Sequence, residues 1–379
     1  MVYLDYNATT PCSQEVVQAM LPYFSEKFGN AASRTHPKGW QADEAVQIAV
    51  AQVARLIQAE EQSIVFTSGA TESCNLAIKG VYEIMQGFGN HIITCVTEHK
   101  AVLDTCAHLE RMGARVTYLG VDTEGHIDLE ELEAAINQDT VLIALMYANN
   151  ETGVIHPVKD IAAIAKAHKV FFFCDATQAV GKVPVLVQED GIDLLALSAH
   201  KFYGPKGIGV LYMRRRSPRV QLVAQIDGGG HQHGFRSGTL NVPAIVGLGK
   251  AAEQCGLYRE EWMAAVKALR DEAERELLAI EGAVLNGDPV HRLPNVLNIA
   301  FEGIKAERLI SILNSDIAFS VGSACTAAQQ KASHVLTAMG LPKGVVEGSV
   351  RLSFGRYNTT EEVRFAVEKI KSAVKQLKK

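Results

Sequence analysis

The sequence predicts an α/β fold with a mainly parallel sheet in a large domain, followed by a smaller α/β domain. Short apolar runs rich in β-branched and aromatic residues alternate with helical patterns through the first two-thirds of the chain, as in a parallel sheet with crossover helices. The last third opens on a long helical stretch and has fewer strands. With 379 residues, 47% of them hydrophobic, the chain can bury a large core, which excludes a disordered or fibrous protein.

Five strands and three helices are predicted in the first two-thirds of the chain. Three of the strands are nearly all apolar, as strands covered on both faces must be. In chain order, the strands cover residues 63–67, 91–96, 141–147, 170–175 and 193–199. The helices cover residues 72–86, 101–112 and 161–168.

The last third is predicted to form the smaller domain. A long helix, from about residue 246 to 280, joins it to the large domain. The further elements are a strand at 295–303, a helix at 306–314, a Ser/Gly-rich segment near 320–325, a strand at 349–354 and a closing amphipathic helix at 361–377. We therefore expect a large domain at residues 16–257 and a small domain made of residues 1–15 and 258–379.

Charge and cysteine content limit the classes of function. The net charge of −5 and pI near 6.2 argue against a dedicated nucleic-acid or membrane-surface binder, because affinity for phosphates needs clustered cations. The seven cysteines are scattered and include no Cys-x-x-Cys, so neither a zinc site nor a disulfide framework is predicted. Most are expected to be buried thiols in a reducing compartment.

The amino terminus and the apolar runs predict a soluble, cytoplasmic protein. The first residues, MVYLDYNATTPC, lack a basic segment followed by an apolar stretch, which is the pattern of a signal peptide. The longest apolar runs, such as residues 141–148, fall far short of the roughly 20 residues that span a bilayer.

Polar residues directly follow the predicted strands. In an open α/β sheet, ligands bind beyond the carboxyl ends of the parallel strands, so these residues sample one pocket. They are Ser68-Gly69-Ala70-Thr71, Thr97-Glu98-His99, Asn149-Asn150-Glu151, Asp175 with Gln178, and Ser198, His200 and Lys201. This convergence is the strongest indication of an active site that the residues give.

Three of these groups each allow two interpretations. Residues 68–71 fit an anion cradle at a helix N-terminus and equally an ordinary capped helix start. Lys201 could form an imine with a carbonyl or extend from a strand end into solvent. Asp175 could bind a ligand or cap a helix. Together they match pyridoxal phosphate, which requires a phosphate cradle, an imine-forming lysine and a carboxylate at its ring nitrogen; His99 could stack on the ring.

Ordered motifs along the whole chain resemble the NifS/IscS-like cysteine desulfurases. These are pyridoxal 5'-phosphate enzymes of fold type I, related to the class V aminotransferases, and the resemblance implies a seven-stranded, mainly parallel sheet. The most diagnostic motif is SVGSACTA. The others are YLDYNATTP, GNAASRTHPKGWQA, TSGATESCN, TEHKAV, NNETG, DATQAVGK, SAHKFYGPKG, RSGTLN and VRLSFGR.

The resemblance implies a role for each matching residue. Lys201 would be the Schiff-base lysine, and Cys325 the nucleophile that accepts sulfur. His99 would stack on the ring and act as an acid and base. Asp175 would pair with the pyridine nitrogen, and Gln178 would contact the phenolic oxygen. Thr71, Ser198 and His200 would bind the phosphate, together with Thr239 from the neighbouring subunit of a homodimer. Asn150 and Arg351 would bind the substrate carboxylate, and Asn150 is also counted among the cofactor-binding residues.

The implied reaction converts L-cysteine to L-alanine and leaves a persulfide on Cys325. Sulfur-acceptor proteins, in iron–sulfur cluster assembly, thiolation or DNA phosphorothioation, would then receive the sulfur. The alternatives are a selenocysteine lyase, an aminotransferase-type enzyme on the same fold, or a subunit that acts chiefly by delivering sulfur within a complex. A nucleotide-binding dehydrogenase is disfavoured because no G-x-G-x-x-G follows the first strand.

The chain departs from the family pattern in three places. Ala31 replaces a proline, which we expect only to loosen a turn. His231 and His233 stand in a segment that is usually Gln-Glu; two histidines without a third ligand are weak evidence for a metal, so no metal is predicted. The sequence ends at QLKK, without the longer C-terminal segment of many relatives, which leaves the sulfur acceptor open.

Overall fold

The computed structural model describes residues 1–216, 219–322 and 332–378, which contain twelve α-helices and twelve β-strands. The strands are β1 Val2–Tyr3, β2 Ile64–Thr67, β3 His91–Cys95, β4 Arg115–Leu119, β5 Thr140–Met146, β6 Phe171–Asp175, β7 Leu194–Ser198, β8 Gly209–Met213, β9 Ala283–Leu285, β10 Val296–Phe301, β11 Ile317–Ala318 and β12 Ser349–Ser353. The helices are α1 Gln14–Met20, α2 Pro22–Ser25, α3 Pro37–Ile57, α4 Ala70–Met85, α5 Lys100–Arg111, α6 Leu129–Ala135, α7 Val158–Ala167, α8 Val242–Leu278, α9 Ala306–Leu313, α10 His334–Ala338, α11 Lys343–Gly348 and α12 Thr360–Leu377.

The central sheet has seven strands in the order β2-β8-β7-β6-β5-β3-β4. All neighbouring pairs from β7 to β4 run parallel, whereas β8 runs antiparallel to both of its neighbours. Strands β3, β5 and β7 are buried along their whole length, which explains their nearly continuous apolar sequences. The predicted α/β class with a mainly parallel sheet is confirmed.

The predicted helices and strands agree with the structure to within a few residues, but the edge strand β4 of the central sheet was not predicted. Strand β4 lies at the sheet edge, and most of its residues are only partly buried, so its apolar signal is weak.

A second layer is built by the two ends of the chain. Strands β12, β10 and β9 form an antiparallel sheet, and β1 pairs with β11 in parallel. A separate apolar cluster, which includes Leu4, Val266 and Leu352, packs between these strands and helices α8, α9 and α12. Both predicted domain boundaries fall inside helices, residue 15/16 in α1 and residue 257/258 in α8. The division into domains stays a prediction.

Six of the seven cysteines lie in the described residues, and none of the six forms a disulfide. Five are buried and Cys12 is partly buried, as expected for thiols that act as small apolar side chains. Within the described ranges, no helix combines the length and apolar character that crossing a membrane requires.

His156 is a buried imidazole with no hydrogen-bond partner on either ring nitrogen. Burial, with a smaller effect of His126, lowers the pKa of His156 from 6.5 to about 4. As the pH falls from 6.5 towards 4, the unfolded chain binds a proton at this position before the folded chain does. The free energy of unfolding should therefore decrease across that window.

We expect His156→Phe to remove about one proton from the pH dependence of unfolding between pH 6.5 and 4. Urea unfolding at several pH values measures this slope. His108→Phe is a matched control, because His108 is partly exposed and lies on α5. An unchanged slope in the His156 variant would show that another group causes the effect.

Candidate active site

A cavity of about 500 Å³ opens at the carboxyl ends of the central strands. Eight of the predicted site residues line it: Thr71, His99, Asn150, Asp175, Gln178, Ser198, His200 and Lys201. Parallel strands end at one edge of a sheet, so the short segments after β2, β3, β5, β6 and β7 deliver these side chains to one place. The predicted convergence of strand-end residues is therefore observed.

Lys201 ends a single helical turn after β7 and is partly exposed to the cavity. Its Nζ donates to the backbone carbonyl of Asn7 at 2.6 Å and to that of Ala8 at 2.9 Å. These carbonyls belong to the segment that follows β1, so the amino-terminal segment meets the end of β7 at the lysine. The amine is thus held in a fixed position beside open space, where a carbonyl compound can reach it.

His99 is the N-cap residue of α5, and its Nδ1 accepts a hydrogen bond from the backbone N–H of Ala101 at 3.1 Å. Burial lowers the pKa of His99, and the charge of Lys201 lowers it further against the opposing effect of Asp175. A neutral ring whose Nδ1 accepts carries its proton on Nε2. The capping bond therefore sets the tautomer as well as the direction of the ring.

Asp175 ends β6 and is 7% exposed, with its carboxylate at the cavity. Oδ1 accepts from the backbone N–H of Thr177 at 3.0 Å, and Oδ2 accepts from the thiol of Cys74 at 3.8 Å. Burial raises the pKa of neighbouring Glu98 well above its usual value, and the charge of Asp175 adds to this. A carboxylate on the floor of a cavity is suited to a cationic N–H of a ligand.

The cavity also holds groups that are suited to an anion. Helix α4 begins after Gly69, which offers no side-chain cap, so the first N–H groups of the helix are free of a capping side chain. Ser198 and His200 line the same region, and Thr9 Oγ1 lies 3.1 Å from Nδ1 of His200. Burial, together with the charge of Lys201, lowers the pKa of His200 to about 4.

Of the predicted site residues that the structure describes, Thr239 and Arg351 do not line this cavity. Thr239 is exposed and lies in the segment before α8. Arg351 is 1% exposed; its Nη2 binds Asp5 at 2.7 Å and its Nη1 donates to the carbonyl of Asn150 at 3.0 Å. Cys325 lies outside the described residues.

Asn7 is a site residue that the sequence did not reveal. It is 1% exposed, and all of its polar groups are bonded. Its carbonyl accepts from Lys201 and from Gln178, at 2.6 and 3.1 Å, and its backbone N–H donates to Ser353 at 2.9 Å. Its side-chain amide donates to the carbonyl of Asn150 at 3.1 Å. Asn7 lies in the motif YLDYNATTP, eight residues before the nearest predicted domain boundary. Neither the motif nor this position indicated its role.

His231 and His233, which stand where the chain departs from the family pattern, do not line the cavity. His231 Nδ1 accepts from the backbone N–H of Gly238 at 3.3 Å, and Gln232 between the two histidines binds both backbone groups of Phe66 at 2.6 Å. In the described ranges, the group with three mutually close metal-type ligands is Glu124, His126 and Asp288, which includes neither histidine.

The fold and the site define a class of protein, and similarity to known families identifies that class. Residues 2–365 match the family model described as aminotransferase class-V. The chain belongs to the class-V aminotransferase family, and the family predicted from the motifs is confirmed.

Similar proteins include a relative that is named a cysteine desulfurase and two solved structures. The chain is 50% identical over 378 residues to cysteine desulfurase IscS of Anaeromyxobacter sp. (strain Fw109-5), which covers 100% of this chain and 93% of the relative. A solved NifS-like protein is 37% identical with a TM-score of 0.93, over 99% of both chains. SspA, solved in complex with cysteine, is 36% identical with a TM-score of 0.83, over 95% of this chain and 100% of its own.

Proposed function

We propose that the protein is a pyridoxal-phosphate-dependent cysteine desulfurase that converts L-cysteine to L-alanine and retains a persulfide on Cys325. The observation that carries the proposal is the cavity itself, with Lys201 and Asp175 held beside an uncapped helix N-terminus. The relative that is named a cysteine desulfurase, with 50% sequence identity, supports the choice of reaction.

The residues present fit pyridoxal phosphate. When bound, the cofactor would supply an aldehyde that forms an imine with amines and a ring that withdraws electrons from the substrate Cα. Lys201 is the amine that would hold it, and Asp175 would keep the ring nitrogen protonated. Gln178 would donate to the phenolic oxygen. These assignments rest on the chemistry of the side chains that line the cavity.

The phosphate would bind at the N-terminus of α4. Thr71, Ser198 and His200 supply hydroxyl and imidazole donors there, and backbone N–H groups add to them. Thr239, which its own chain leaves exposed, would contribute from the second subunit of a homodimer. A phosphate beside His200 would raise the pKa of its imidazole, because a nearby negative charge favours the protonated form.

Proton transfer would involve two groups that the structure holds in fixed positions. The unlinked amine of Lys201 would act as the general base for the Cα proton and would hold that proton at Nζ for its return. His99, with its proton on Nε2, stacks on the ring and acts as an acid and base. Both groups are partly buried, which lowers the local dielectric and strengthens their electrostatic effect.

The substrate carboxylate would be bound by Asn150 and Arg351. Asn150 lines the cavity, and its carbonyl already joins it to the guanidinium at 3.0 Å. Nε of Arg351 is buried without a partner, and Asp5 occupies the outer face of the group. A substrate carboxylate would bind at Nε of Arg351 or replace Asp5 on the guanidinium, because a planar guanidinium binds carboxylates bidentately.

Sulfur transfer would take place on Cys325. Its thiolate would attack the sulfur of the substrate, and the substrate C–S bond would break. The Cβ carbon that loses the sulfur would take a proton to complete alanine, and the enzyme would keep the sulfur as a persulfide. Both flanks of the segment that carries Cys325 lie at Glu151: the hydroxyl of Ser333 donates to its Oε2 at 2.5 Å, and Gly322 is close enough that a Cβ there would come within 2.9 Å. Glu151 directly follows Asn150, so Gly322 and Ser333 both lie next to the proposed substrate site.

The destination of the sulfur and the setting of the enzyme are also proposals. We expect a cytoplasmic homodimer that passes sulfur to acceptor proteins, in cluster assembly, thiolation or DNA phosphorothioation. The net charge of −5 supports a protein acceptor over direct contact with nucleic acid.

Purified protein with added pyridoxal phosphate tests the proposed reaction. We expect a visible absorption band and L-cysteine-dependent formation of alanine. Parallel reactions with L-selenocysteine, and with an amino acid plus a 2-oxo acid, separate the rival activities. A colourless protein that makes no alanine would refute the proposal, and activity on selenocysteine alone would assign the site to a lyase.

Asp175→Asn should keep the cofactor bound but slow alanine formation by about 10²-fold or more, since the neutral amide cannot hold the ring nitrogen protonated. Steady-state kinetics and a visible spectrum measure the two effects. Asp160→Asn, on the exposed face of α7, is the matched control. Full activity in the Asp175 variant would remove that residue from the mechanism.

A further inference from the structure

Lys182 is a buried lysine that none of the roles above uses. It is 7% exposed and follows Gln178 by four residues in the turns after β6. Its Nζ donates to Oε1 of Gln178 at 2.6 Å and to Oδ1 of Asn7 at 3.2 Å. Gln178 lines the cavity. Asn7 is bonded to it indirectly, because its backbone carbonyl accepts from Lys201, which also lines the cavity.

The chain adopts an unusual backbone to place this amine. Gly181 has φ +80, and a Cβ there would lie 2.5 Å from Cβ of Phe202, so only glycine fits the turn that directs Lys182 inward. Burying a lysine is costly: burial, with the charges of Lys201 and Arg351, lowers its pKa well below the usual value. A Met or Leu would fill the same space without that cost.

The contact with Gln178 has a directional consequence. A carboxamide can point either its oxygen or its nitrogen at a given neighbour. The amine of Lys182 donates to Oε1, so the Nε2 of Gln178 must take the other side, where it donates to the carbonyl of Asn7 at 3.1 Å. That carbonyl also accepts from Lys201 at 2.6 Å, so Nε2 and Nζ of Lys201 converge on one atom.

The second contact fixes Asn7 in the same way. Oδ1 of Asn7 accepts from Lys182 and from Nδ2 of Asn295 at 3.0 Å. Its Nδ2 is therefore turned to the carbonyl of Asn150. One amine thus sets the orientation of two amides, one on the cofactor side and one on the substrate side of the site.

We propose that Lys182 is a positioning residue, which keeps the N–H of Gln178 directed at the cofactor oxygen and the side-chain amide of Asn7 directed at the carbonyl of Asn150. The inference rests on the proposed function, because the cofactor gives Gln178 its role. A role limited to filling space would be met by an apolar side chain of similar length, and this difference makes the proposal testable.

The test compares Lys182→Met, which keeps the length, with Lys182→Gln, which keeps one donor, in the cofactor-loaded enzyme. Visible circular dichroism reports how firmly the cofactor is oriented, independent of turnover. We expect Lys182→Met to reduce that signal and to lower kcat by about tenfold with KM changed less, and Lys182→Gln to give an intermediate result. Lys166→Met, at an exposed position on α7, should match the wild type.

A double-mutant cycle with Gln178→Leu separates positioning from stability. If Lys182 acts through Gln178, the loss of dichroism caused by Lys182→Met should largely disappear in the Gln178→Leu background. Additive effects, or a Lys182→Met enzyme within about twofold of wild type in both readouts, would overturn the proposal. Should Lys182→Met not fold, the Lys182→Gln cycle decides in the same way.

The two proposals fail differently. A wild-type protein that binds the cofactor but makes no alanine contradicts the desulfurase reaction, while the dichroism of the variants still decides the role of Lys182. A wild-type protein that binds no cofactor contradicts both.

Discussion

Lys201→Ala is expected to abolish the visible band of the lysine-linked cofactor and to lower alanine formation by about 10⁴-fold or more. The variant loses both the amine that would hold the cofactor and the base that would take the Cα proton. The surrounding contacts predict a folded protein, since the Asn7 and Ala8 carbonyls that accept from Nζ border a cavity that water can enter. Thermal unfolding should confirm this.

Borohydride reduction gives the sharpest readout. In the wild type it should fix the cofactor to the peptide that contains Lys201, as mass spectrometry can locate. Lys206→Ala is the matched control, because Lys206 is an exposed lysine at the same cavity and should not affect this attachment. An active Lys201→Ala enzyme with the cofactor on another lysine would disprove the assignment.

Cys325→Ala is expected to bind cofactor and L-cysteine normally, with the accompanying spectral change, and yet to lose alanine formation by about 10²-fold or more. Without the thiolate, no group accepts the substrate sulfur, so the C–S bond stays intact. An alanine assay together with the spectrum of the cysteine-bound enzyme separates binding from cleavage.

Labelled sulfur makes the same prediction more specific. After reaction with labelled L-cysteine, non-reducing mass spectrometry should find one added sulfur on the Cys325 peptide of the wild type. Cys12→Ala is the control, because Cys12 is partly buried and does not line the cavity. Multiple turnovers by Cys325→Ala with a thiol reductant would show that the persulfide does not form at this position.

The strand-end rule accounts for how much of the site could be predicted. Eight predicted residues follow parallel strands, and the pattern of apolar runs places such strands at one sheet edge. The order of the strands and the antiparallel insertion of β8 were beyond the pattern, because strand pairing depends on contacts between distant segments. The edge strand β4 was missed for a different reason, since partial burial weakens its apolar signal.

The residues that the sequence missed act over long distances along the chain. Asn7 bonds to Ser353 and Lys182, and nothing local to any of the three marks that meeting. Arg351 was predicted to contact substrate, but its ion pair with Asp5 joins opposite ends of the chain and could only be seen in the fold. Cys325 was predicted by resemblance alone, since a lone thiol among small residues has no local signature of reactivity.

The bonds of Asn7 have a consequence for how the protein is made. A chain grows from its amino terminus, and domains tend to form as they emerge. The central sheet is complete by Met213, but the backbone N–H of Asn7 lacks its acceptor until Ser353 has been synthesised. We therefore expect nascent chains that end before β12 to hold a folded sheet without a working lysine pocket, so that competence to bind cofactor is acquired almost at the last step of synthesis.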